Sequence, residues 1–76
     1  MRKLEELSKA IRWYESNIEE HVRAEDNHPK TLQYLLVAYN SFAEHCGLQR
    51  LDLFRDIGDA QVAFATLRRR VDEVAS

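Results

Sequence analysis

His45 and Cys46 are the one place in this sequence where an imidazole adjoins a thiol. A Cys–His nucleophile needs the ring nitrogen close enough to the sulfur to take its proton. Neighbouring residues on a helix point about 100° apart, so adjacency does not bring these two groups together. Cys46 also falls on an apolar stripe and reads as a small buried hydrophobe. A zinc site needs four ligands converging from recognisable spacings, and His21, His28, His45 and Cys46 contain neither a CxxC nor an HxxxH pair. Asp52, Asp56 and Asp59 imitate a calcium loop, but Phe54 and Ile57 stand where such a loop needs an oxygen ligand and its glycine. No glycine-rich phosphate loop occurs. The expectation is a protein that is not an enzyme and uses neither metal nor cofactor.

The stretch FAEHCGLQRLDLFRDIGD (42–59) suggests a different chemistry. Ala43, Gly47 and Leu48 have the spacing of a helix-turn-helix corner, with a small residue for close packing and a glycine for positive φ. Gln49, Arg50 and Arg55 would then face the major groove from the following helix. Leu51 and Phe54 are apolar on that helix, however, and Asp52 and Asp56 would repel phosphate. A net charge of −2 points the same way. Arg68, Arg69 and Arg70 fan out around a helix instead of forming one basic face, and two of them stand four residues before Asp72 and Glu73. DNA binding is therefore the second reading of the sequence.

The elements that must position these residues are helical, for no segment alternates with period two. Leu4, Leu7, Ile11, Tyr14 and Ile18 recur at three-four spacing, with Val22 close to the same line, and predict a helix over about 2–24. Pro29 breaks the chain and suits the first turn of a second helix over about 29–46, with Asn27 or His28 as its N-cap. That helix carries Leu32, Leu35, Leu36, Tyr39, Phe42, Ala43 and Cys46 on one face, and Gly47 offers its left-handed C-cap. Leu53, Ile57, Ala60, Phe64, Leu67, Val71 and Val74 continue a stripe that predicts a third helix over about 49–74. Gly58 and Asp59 allow a split near 58. The fold class is all-α, a three-helix bundle or a helical hairpin plus a third helix, in a single domain spanning residues 1–76.

A 76-residue chain builds a thin core, and domains of this size commonly rely on a disulfide, a metal or oligomerisation. One cysteine excludes an internal disulfide, so a homodimer is expected. No apolar run approaches the ~20 residues of a membrane span, and no apolar segment follows MRKLEELSKA as in a signal peptide. The expected location is the cytoplasm.

Apolar residues away from the stripes carry the functional expectation. Trp13 lies about 140° from the centre of the first stripe. Tyr34 and Val37 stand off the second, and Leu51, Phe54 and Val62 off the third. A second apolar surface on several helices implies burial against another chain, and Trp13 with its neighbour Arg12 supplies the residue types that dominate binding hot spots. The sequence thus predicts a regulatory or antagonist protein that binds and occludes a larger protein through Trp13, Arg12, Tyr34 and Val37. The alternatives are the DNA-binding regulator and an accessory structural subunit.

Overall fold

The computed structural model describes the backbone of residues 2–75 and the side chains of residues 5–74. Three helices carry the fold: α1 (Arg2–Arg23), α2 (Pro29–His45) and α3 (Ile57–Ala75), and the described residues include no strand. Ile11 and Ile18 of the first stripe are fully buried, with Leu7, Tyr14 and Val22 packed at the edge of the core; the side chain of Leu4 lies outside the described residues. α1 stops in a Schellman turn: the N–H of Asp26 bonds to the carbonyl of His21, and that of Glu25 to the carbonyl of Val22. Glu25 takes the left-handed position at φ 52° although it is not glycine.

His28 is the N-cap of α2. Its Nδ1 accepts from the Lys30 N–H at 3.1 Å, and Pro29 occupies the first helical position, where no N–H is needed. Asn27 does something the local sequence does not announce. Its Oδ1 accepts from the N–H of Ile57 at 2.7 Å and so satisfies the first turn of α3 from thirty residues away. α2 closes in a second Schellman turn, with Leu48 N–H to Ala43 carbonyl and Gly47 at φ 70°.

The third helix expected from residue 49 begins instead at Ile57, and residues 48–56 are irregular. Asn40, buried on α2, holds both backbone groups of Leu51: its Oδ1 accepts from the Leu51 N–H at 2.8 Å and its Nδ2 donates to the Leu51 carbonyl at 3.0 Å. A residue clamped in this way cannot give the same groups to a helical ladder. Farther on, Asp56 rather than Asp59 starts α3, accepting from the Asp59 N–H at 2.9 Å, while Asp59 reaches back to the Arg55 N–H at 2.9 Å. Gly58 therefore lies in the first turn of α3, not at a break within it. With no helix before Ile57 the stripe loses its phase there: Phe54 is buried and Leu53, expected inside, is exposed, as is Val74 at the far end.

Ser8 and Arg12 bond to Asp72, and Glu15 bonds to Arg68, so residue numbers rise on one helix as they fall on the other and α1 and α3 are antiparallel. α2 packs on this pair through rings. Phe64 of α3 is fully buried, with Tyr14 stacked on it at 5.4 Å and Tyr39 and Phe42 meeting it edge-on at 5.8 and 6.5 Å. Such offset and edge-to-face contacts add to the area each ring buries.

Candidate functional site

Trp13 is anchored at its base and open at its face. The indole meets the Tyr14 ring edge-on at 5.1 Å, and Asn17 donates from Nδ2 to the Trp13 carbonyl at 3.0 Å. The side chain remains 58% exposed. Tyr14 then links α1 to α2: its hydroxyl lies 3.2 Å from that of Tyr34, and the two rings are 6.0 Å apart. The bond to Tyr34, then burial, then repulsion from the neighbouring phenol hold the Tyr14 hydroxyl above its ordinary pKa. Tyr34 is 55% exposed, and Val37, one turn further along α2, is 59% exposed. Trp13 and Tyr34 thus lie on the outer side of a helix pair whose inner side is already filled, whereas Val37 faces an open groove that it lines with Asn40, Glu44, Arg50 and Leu51.

Tyr14 itself appears in the sequence only as a core residue. A tyrosine at the edge of an apolar stripe, one position from an off-stripe tryptophan, is the signal that could have placed it at the site. Arg12 is directed elsewhere: its Nη2 bonds to Asp72 at 3.1 Å and its Nε to the Ser8 hydroxyl at 3.4 Å, toward α3. The structure links Trp13 to Tyr34 through Tyr14 and does not bring Arg12 to them.

The charges around Trp13 follow from helix geometry. Glu6 and Glu20 stand seven residues before and seven after it, two turns away in each direction on the same side of α1. Lys9 and Ser16 lie one turn away on that side, and Lys30 stands one turn before Tyr34 on α2. All five side chains are exposed. The α1 face of the aromatic strip is therefore bounded by a carboxylate at each end, with Lys9 nearer its middle.

Gln49, Arg50 and Arg55 lie on the irregular 48–56 segment, so the helix that would carry them into a groove of DNA does not form. Arg50 bonds to Glu44 at 3.0 Å and Arg55 to Asp59 at 3.2 Å, each within the chain. Arg68 is also engaged, with Glu15 at 2.7 Å and Asp72 at 3.4 Å. Ala43, Gly47 and Leu48 make the C-terminal turn of α2 and lead to no second helix before Ile57.

The remaining titratable groups serve the frame. Cys46 is half-buried, and burial pushes its thiol above the ordinary value, with Arg70 opposing. Asp26 accepts from the His28 N–H, the His21 ring and the Thr31 hydroxyl at the α1–α2 corner. Among the described residues no cluster of three metal-ligating side chains forms, and no helix is long and apolar enough to cross a membrane. No protein-family model, curated protein or solved structure matches the chain.

Proposed function

We propose that this chain is a small cytoplasmic regulatory protein that binds a larger protein and occludes one of its functional surfaces. The observation that carries this reading is the aromatic strip: Trp13 and Tyr34, joined through Tyr14, stand exposed on the outside of a bundle whose core is complete without them. Isolated exposed apolar residues need no explanation, but Trp and Tyr held by ring contacts and open on one face are what a binding hot spot consists of. Glu6 and Glu20 bear on the partner's chemistry: an apolar pocket for the indole, with a lysine or arginine facing each end of the α1 strip.

The test compares tagged wild-type protein with Trp13→Ala in capture from an extract of the source organism. A specific protein retained by the wild type and lost from the variant, at unchanged circular dichroism, is the expected result. Equal retention by both removes the proposal. Trp13 is the sole tryptophan, so its emission should shift to the blue when the purified partner is added.

A further inference from the structure

A second apolar surface lies where residues 51–55 run beside α3. An open groove of about 450 Å³ has Tyr39, Phe54 and Ala63 in its lining, the first two belonging to the core. Leu51, Leu53 and Val62 line it too; Leu53 is 61% and Val62 67% exposed. The protruding leucine and the groove beside it belong to one patch. That combination is self-complementary, as a two-fold symmetric contact requires.

Surface area gives the occupant's scale. The chain exposes 5407 Å², whereas a folded monomer of 8.9 kDa is expected to expose about 4,800 Å². The chain thus exposes roughly 600 Å² more than that expectation, and a standard-size interface covers about 600–1,000 Å² per protomer.

Charge separates the two apolar surfaces. Arg55 and Asp59 are the charged residues of the groove, and they neutralise each other at 3.2 Å, so two copies can meet there without repulsion. The Trp13 strip is worse suited to pairing with itself. Glu6 and Glu20 are equidistant from Trp13 along α1, so a two-fold axis through the indole would set each against the other's copy, carboxylate against carboxylate. Leu51, Leu53 and Val62 make the larger part of its exposed lining aliphatic beside Arg55 and Thr66, and homodimer interfaces are more apolar than transient ones.

We infer that the occupant is a second copy of this chain, with Leu53 of each protomer seated in the groove of the other beside Leu51 and Val62. Trp13 and Tyr34 lie outside this groove, and the inference stands independently of the function proposed above.

Sedimentation equilibrium of the full chain from low to high micromolar concentration tests it. The wild type should move from the 8.9 kDa mass of one chain to twice that value. Leu53→Glu combined with Val62→Glu should hold it at one chain with unchanged helicity, because the new carboxylates would face each other across the contact and both side chains are exposed. Val62→Lys alone, on the solvent side of α3, should weaken association at least tenfold. Trp13→Ala should dimerise like the wild type while losing the partner. A single-chain mass at every wild-type concentration would overturn the inference, as would dimers that survive the double substitution or vanish only with Trp13→Ala.

Discussion

Glu25 and Gly47 occupy the same position in two copies of the same turn and differ in whether a Cβ must be accommodated there. Both close a helix with paired Schellman bonds, and both have positive φ, 52° for Glu25 and 70° for Gly47. Nothing stands within 4 Å of a Cβ built on Gly47, so a side chain there meets no neighbour and the cost is purely conformational. A left-handed residue other than glycine costs roughly 1–2 kcal/mol, partly offset by the larger entropy glycine loses on folding. Glu25→Gly should therefore stabilise the chain by up to about 1 kcal/mol and Gly47→Ala should destabilise it by a similar amount. In a domain of this size that is a shift of about 4–8 °C in opposite directions in thermal melts. Two shifts of the same sign would show that something other than φ governs these turns. Phe64→Ala belongs to a different class of change: removing a fully buried ring costs about 3–5 kcal/mol, comparable to the whole stability of a small core, and the variant should lose its cooperative unfolding transition.

The start of α3 is set by side chains from other elements. Asn40 of α2 clamps Leu51, and Asn27, before α2, caps Ile57. Asn40→Ala leaves two backbone groups of Leu51 without their partner and should cost about 1–3 kcal/mol. It should also raise amide exchange across 49–56 before that of α1 rises. Protection in 49–56 equal to the wild type would mean that packing of Phe54, rather than the clamp, holds the segment. The same interactions explain what could be read from the chain alone. Ile11 and Ile18, Leu35 and Tyr39, and Phe64, Leu67 and Val71 are legible because burial imposes a helical period on residue type. Leu53 and Ile57 share that period by coincidence of spacing, and a hydrophobic pattern carries no information about a hydrogen bond made thirty residues away. His28 and Asn27 sit side by side with equal claims as caps; each does cap a helix, and only the tertiary fold decides which. At the candidate site Trp13, Tyr34 and Val37 stand out in the sequence by leaving their stripes. The Tyr14 hydroxyl that joins two of them, and the ion pair that takes Arg12 toward Asp72, depend on how helices meet.

Across the whole molecule, Asp26 and Asp72 tie helices together and Asp59 holds the start of α3, and all three carboxylates are held below the ordinary pKa. Asp26 at the α1–α2 corner is lowered first by the His28 N–H, then by the His21 ring and the Thr31 hydroxyl. Asp59 at the start of α3 is lowered by the backbone and side chain of Arg55, and Asp72 between α3 and α1 by the Ser8 hydroxyl and then by Arg12 and Arg68. A carboxylate with a depressed folded pKa binds its proton more readily in the unfolded chain, so stability rises with pH through that window. The contribution is complete above the unfolded value of about 3.9 and disappears as pH falls through the lower folded values. Stability should accordingly decline as the solution is acidified from about pH 5 downward, in a single transition because Asp26 and Asp72 join α1 to both other helices. Since each carboxylate is solvent-accessible, part of the effect should be screened by salt. The triple variant Asp26→Asn, Asp59→Asn, Asp72→Asn separates this origin from general acid destabilisation: it should start less stable at neutral pH and lose less on acidification, so that the two stability curves converge toward low pH. Curves that run parallel would place the acid sensitivity in other groups and reduce the three carboxylates to ordinary surface charges.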